Sequence, residues 1–167
     1  SVAPAFRSFE ALATTLYASS TLGIVALAVG MLMIGGEFDL SSGVAVTPAA
    51  LAATMLNYNL HLNSWVGAFL ALGISLAIGA LNGFLVTRTG IDSFLITLAA
   101  FLMLQGLNLA VTKLVTGQVA TPTIADMEGF PSAHAVFAGE FHIGNVRISV
   151  TVLWWIFFVA VASFVLF

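Results

Sequence analysis

Apolar residues along the chain gather into runs of about twenty, divided by short polar stretches. That length matters because a hydrocarbon core about 30 Å thick is crossed by roughly 20 helical residues at 1.5 Å rise each. Residues 11–34 form the first run; Thr14, Thr15, Ser19, Ser20 and Thr21 lie in its first half, with Gly23 and Gly30 further on. Small and hydroxyl residues of this kind are expected to face protein rather than lipid. Residues 44–60 are shorter and contain Pro48, whose missing backbone donor predicts a broken or half-length span. Residues 65–86 are long enough to cross and carry Gly67, Gly73, Gly79 and Gly83. Gly73, Gly79 and Gly83 are the expected helix-packing positions. In residues 93–115, Gln105, Asn108 and Lys113 interrupt the apolar run, so these side chains must meet protein, water or headgroups. A polar stretch follows over 116–147 with Pro122 and Pro131, read as a long loop. Residues 148–167 begin a further span, in which Trp154 and Trp155 sit too deep to be simple interface anchors.

The predicted fold is therefore all-α: a polytopic transmembrane helical bundle with about five membrane segments, one of them short or broken after residue 43. One transmembrane domain is expected over 1–167. Because the chain starts at Ser1 and stops inside VAVASFVLF, it is read as a piece of a larger protein, incomplete at both ends.

Composition agrees with a membrane protein: 60% of residues are hydrophobic and 7% are charged, against about a quarter charged in soluble domains. Mean hydropathy is +1.12. The net charge of −3, from four basic and seven acidic residues, offers no basic patch for nucleic acid. Without cysteine there are no disulfides, thiolate metal sites or cysteine nucleophiles. His61, His134 and His142 lack metal-ligand spacing and are read as loop residues. No metal, cofactor or catalytic residue is expected.

Polar residues concentrate in GGEFDLSSG, residues 35–43, between two apolar runs. One reading is an interfacial turn in which Asp39 or Ser41 caps the following helix. The other starts from the rule that a carboxylate within a membrane is a functional-site hypothesis, with Gly36, Glu37, Asp39, Ser41, Ser42 and Gly43 as its members. Glu37 and Asp39 are only two residues apart, with no nucleophile–base pair, GxSxG or GxxxxGK[ST] beside them, which speaks against enzyme chemistry.

ALAVGMLMIGGEFDLSSG and the later NGFLVTRTGIDSFLITLAAFLMLQGLNLAVT resemble the permease subunits of bacterial ABC sugar importers of the ribose, xylose and simple-sugar type. Asp39, Leu40, Ser41 and Gly43 fit the first motif; Asn82, Gly83, Ile91, Phe94, Ile96, Thr97 and Leu98 fit the second. Ser42 and Pro48 depart from the pattern. The resemblance implies a non-enzymatic permease of the bacterial inner membrane. It implies an ABC ATPase subunit that hydrolyses ATP, a periplasmic sugar-binding protein, a second permease chain in a homodimer or heterodimer, and lipid as partners. It also implies that TRTGID, residues 87–92, faces the cytoplasm and the long loop the periplasm. The few basic residues count the other way, with Arg7, Lys113 and Arg147 outside against Arg88 inside. Asn82, Gln105 and Asn108 are the expected lining of a polar path. Two other classes stay open: an ion-coupled secondary carrier using Glu37 or Asp39, and a structural membrane subunit that transports nothing. The role of Glu37 is left open.

Overall fold

A computed structural model describes residues 8–117, 125–143 and 146–166. Arg7, Pro122 and Phe167 from the sequence reading lie outside the described residues. The elements are α1 (Phe9–Ile34), α2 (Ser42–Leu60), α3 (Ser64–Thr89), α4 (Ser93–Thr116), α5 (Phe130–Phe137), β1 (Glu140–Ile143), β2 (Val146–Ser149) and α6 (Val150–Leu166). They divide into two compact units, one of residues 32–131 and one of residues 1–31 with 132–167.

The unit of residues 32–131 is organised around α2, which packs against both α3 and α4. Its buried row is Ser41, Ala45, Ala49, Ala53 and Asn57, every fourth residue on one helix face. Small side chains let neighbouring backbones approach closely, which drives helix association where lipid removes the usual hydrophobic advantage. Inward-facing residues on the neighbours are Ser64, Gly67 and Asn82 on α3, and Thr97, Ala100 and Thr112 on α4. A Cβ at Gly67 would lie 3.1 Å from the Asn57 side chain, so glycine admits the buried amide. With its amide turned toward them, Asn57 donates to the carbonyls of Leu62 at 3.0 Å and Asn63 at 3.2 Å.

Two expectations change here. Pro48 sits inside a continuous helix; packing on α3 and α4 on both sides of it holds α2 together despite the lost backbone bond. Gly73, Gly79 and Gly83 have no atom within 4 Å of where a Cβ would stand, and they face outward within this unit. Gly79 and Gly83 each follow by one residue an inward position, half-buried Ile78 and buried Asn82, and one residue turns a helix by about 100°.

Helix ends follow local chemistry. At the end of α1, Gly36 adopts φ +85°, its N–H donates to Met33 O at 3.0 Å, and that of Glu37 donates to Leu32 O at 3.2 Å. This paired closure needs a left-handed residue, for which glycine carries no Cβ penalty. At the end of α2 the same conformation falls on His61, φ 49°. Asn63 opens α3 by accepting from Trp65 N–H, Asp92 opens α4 by accepting from Phe94 N–H, and Gly90 and Gly117 close them. Arg88 and Lys113 lie in the last turns, where positive charge suits the helix dipole. Ser64 N–H donates to Glu128 O at 2.9 Å, tying the α2–α3 turn to the segment before α5.

In the other unit, β1 and β2 form an antiparallel hairpin that pairs Glu140 with Ser149 and His142 with Arg147. Trp154 Nε1 donates to Val136 O at 2.9 Å, and its ring stacks on Phe137 and Phe158. The indole therefore anchors α5 to α6. Trp155 packs directly over Gly23 of α1, where a Cβ would collide with the ring. The stretch read as a loop over 116–147 thus contains a helix and a hairpin, and Ile148 and Ser149 belong to a strand rather than to the following span.

Large apolar side chains point outward: Phe164 is 88% exposed, Leu114 85% and Leu22 72%. Among the most buried side chains are Ser20, Ser41 and Asn57, the reverse of a soluble core and the arrangement lipid demands. α1, α3 and α4 are long and apolar enough to cross a membrane. The apolar part of α2, Ser42–Met55, and α6 are shorter.

Replacing Gly36 by Ala is expected to destabilise the protein by about 1–2 kcal/mol, the left-handed penalty. His61→Gly relieves the same penalty against a larger chain entropy cost, for a gain of roughly 0.5–1 kcal/mol. Unfolding midpoints of the two variants in detergent should move in opposite directions.

Candidate functional site: a polar clamp at the α1–α2 turn

Between α1 and α2 the chain leaves helical geometry for a few residues, and its backbone groups need partners that a helix would otherwise supply. Two hydroxyls of α4 provide them. Phe38 N–H donates to Ser93 Oγ at 3.0 Å, and Leu40 N–H donates to Thr97 Oγ1 at 3.2 Å. Phe38 O lies 3.2 Å from the Thr97 hydroxyl, which also reaches Ser93 O at 2.8 Å. Ser93 and Thr97 are four residues apart and share one helix face. Phe38 packs its ring on Phe94, centroids 6.3 Å apart.

Asp39 and Ser41 close the turn from within. Asp39 Oδ1 accepts from both the N–H and the hydroxyl of Ser41, each at 2.7 Å, and Asp39 O accepts from Ser42 Oγ at 3.0 Å. From α3, Asn82 Nδ2 donates to Ser41 Oγ at 2.8 Å. Both Ser41 and Asn82 are buried, 1% and 6% exposed. The turn is thereby bonded to α3 and α4 at once.

The expected helix cap takes a different form. Ser41 flanks α2 in a helical backbone conformation and its side chain makes no cap bond. Its hydroxyl is committed to Asp39 and Asn82 instead, and its carbonyl closes the first turn by accepting from Ala45 N–H at 2.8 Å. Asp39 satisfies the Ser41 N–H, one step ahead of the helix. Glu37 is exposed, and its carboxylate makes no hydrogen bond or ion pair among the described residues; only its backbone is used, in closing α1. Gly43 lies in the first turn of α2 with open space around it.

The three residues expected to line a path separate. Asn82 belongs to the clamp. Gln105 is exposed on α4. Asn108 is half-buried and lines a cavity of about 230 Å³ between α2, α3 and α4, together with Pro48, Ile78, Leu104 and Thr112. That cavity is largely aliphatic. Sequence reasoning missed Ser93, and it gave Thr97 no role beyond its motif. The legible signal was the pair of hydroxyls at i and i+4 following the capping Asp92. Among the described residues no group of three or more His, Cys, Asp or Glu could hold a metal ion.

A turn in which Asp39 and the hydroxyls of Ser41 and Ser42 are bonded to one another, at the joint between apolar helices, is a structural joint. The chain belongs to the family described as branched-chain amino acid transport system / permease component, which it matches over residues 11–167. It is thus a multi-pass membrane protein of a transport permease family, not of an enzyme family.

Its relatives narrow the comparison. It is 28% identical over 154 residues to the xylose transport system permease protein of Escherichia coli (strain K12), covering 90% of this chain and 37% of that one. It is 28% identical over 114 residues to the ribose import permease protein of the same strain, covering 67% and 35%. It is 33% identical over 102 residues to the fructose import permease protein of Bifidobacterium longum (strain NCC 2705), covering 61% and 28%. The matched regions therefore span between 28% and 37% of these relatives' lengths. No solved structure matches the chain significantly.

Removing the Ser41 hydroxyl leaves the buried Asn82 amide without its acceptor, while removing Asn82 leaves Ser41 Oγ only its bond to Asp39. A double-mutant cycle of Ser41→Ala and Asn82→Ala, read by unfolding in detergent, should give a coupling of about 0.5–2 kcal/mol. Thr97→Val should destabilise more than Thr97→Ser, since valine leaves Leu40 N–H without its acceptor.

Proposed function

We propose that this chain is part of the permease subunit of an ATP-binding-cassette importer that moves a monosaccharide-type sugar across the bacterial inner membrane. The observation that carries the reading is the match to a permease family along 11–167, with relatives named for xylose, ribose and fructose import. The clamp supports it from inside the chain, because the two motif-bearing blocks are bonded to each other through Ser41, Asn82 and Thr97.

In this reading the work is mechanical, and the permease makes or breaks no covalent bond. ATP is hydrolysed by a separate ABC ATPase subunit, a periplasmic binding protein delivers the sugar, and a second permease chain, in a homodimer or heterodimer, completes the pathway. The 87–92 connector and the clamp face the cytoplasm. Helices α2, α3 and α4 then move as one body, since the clamp bonds the start of α2 to both neighbours. Asn108 and Gln105 remain the proposed polar lining. Ion coupling through Glu37 or Asp39 is the weaker reading, because Asp39 Oδ1 already accepts two hydrogen bonds from Ser41 and the exposed Glu37 carboxylate has no second ligating group bonded to it among the described residues.

Sugar uptake into proteoliposomes containing the full-length protein should require both ATP and a binding protein; uptake driven by an ion gradient alone would overturn the proposal. Asp39→Asn weakens the double acceptance from Ser41 by removing the charge, worth about 1 kcal/mol or more relative to a neutral acceptor. Transport or assembly of the importer should fall in that variant. Wild-type uptake and expression would remove the role given to the turn.

A further inference from the structure

Near the start of α1, Glu10, Thr14 and Tyr17 line a cavity of about 240 Å³ whose other wall is the hairpin, through Glu140, Arg147 and Ser149. The spacing i, i+4, i+7 places the three α1 residues on one helix face. The hairpin register pairs Glu140 with Ser149 and puts Arg147 two residues along on the same strand, so these three share one face of the ribbon. Arg147 Nη2 stands 3.5 Å from Glu10 Oε1. Both side chains are more than half exposed, so the pair is weakly held and open to exchange partners. The Glu140 carboxylate and the Tyr17 phenol have no hydrogen-bond partner among the described residues. The mechanism proposed above uses none of these groups.

We propose that this cavity binds a neutral polyhydroxylated ligand of monosaccharide size, held through its hydroxyls by Glu10, Glu140 and Arg147. The inference rests on the sugar-import reading and adds a place where the sugar is received. Size supports it: the volume is that of about eight waters and falls below the roughly 300–1,000 Å³ of pockets for drug-sized ligands. Chemistry supports it too. Carboxylates accept from hydroxyls and guanidinium donates to them, so adjacent hydroxyls find both kinds of partner in one wall. With two carboxylates against one arginine the site carries a net −1, which disfavours an anion. A zwitterionic amino acid would have to compete with Glu10 for Arg147 while placing its own carboxylate near Glu140.

The test is equilibrium binding of radiolabelled D-xylose, D-ribose and D-fructose to the full-length protein in nanodiscs, beside uptake of the same sugars by the complete importer. Saturable binding of at least one of these sugars is expected, weakened about tenfold or more in Glu140→Gln, as for loss of a hydrogen bond to a charged group. The Glu140 carboxylate has no partner to lose among the described residues, so the unfolding midpoint of that variant should stay at the wild-type value. Arg147→Gln should weaken binding as well. Undiminished sugar binding in both variants overturns the site, as does displacement of bound sugar by equimolar L-leucine. If the importer takes up a sugar that the wild-type permease does not bind, the site is overturned while the import reading stands. Uptake of none of the three sugars defeats the import reading itself.

Discussion

The structure of residues 32–131 depends on one requirement: backbone groups that leave a helix inside an apolar unit must find partners without water. At the α1–α2 turn those partners are two hydroxyls of α4 and the carboxylate of Asp39 within the turn. Ser93 and Thr97 receive Phe38 and Leu40 N–H, while Asp39 receives Ser41 N–H. Because Ser93 and Thr97 sit on α4, and Asn82 of α3 bonds the Ser41 hydroxyl, the position of α2 is set by hydrogen bonding at its first residues as well as by packing along its length. An unsatisfied amide there would cost several kcal/mol in hydrocarbon, which is more than any single alanine contact on α2 supplies.

Packing then takes over. The row Ala45, Ala49 and Ala53 runs from the clamp at Ser41 to the buried amide of Asn57. Polar, directional contacts sit at both ends of the helix, and small apolar residues fill the space between. Gly67 at the far end performs for Asn57 what the hydroxyls perform at the near end: it makes room for a buried polar group in a tight interface. Pro48 is tolerated because neither end of α2 relies on the bond it removes.

Much of this was legible in the amino-acid pattern, and the parts that were not share a cause. Runs of bilayer length mark α1, α3 and α4, since composition over twenty residues averages out local detail. Asp39, Ser41, Asn82 and Thr97 were all visible as motif residues. What could not be read was which of them touch, because that depends on how α3 and α4 are rotated about their axes. The same blindness to rotation made Gly73, Gly79 and Gly83 look like the packing face when Gly67 and the alanines of α2 hold that position. Likewise Asn82 reads as a polar lining residue until its neighbour is known. The hairpin was hidden for a different reason: its strands, EFHI and VRIS, do alternate polar and apolar residues, but four residues are the shortest run in which alternation is a signal, and charged Glu140 and Arg147 blend into a polar stretch.

The bonds of the clamp also join parts of the chain far apart in sequence: 41 residues from Ser41 to Asn82, 55 from Phe38 to Ser93 and 57 from Leu40 to Thr97. Synthesis proceeds from the N-terminus, so the α1–α2 turn exists well before the residues that satisfy it. Until α4 has emerged, α2 is a short, Pro48-bearing, alanine-rich segment whose entry is bonded only to itself and to Asn82 of α3. Its settling at depth is therefore a late event, completed by the arrival of Ser93 and Thr97 rather than by its own hydrophobicity.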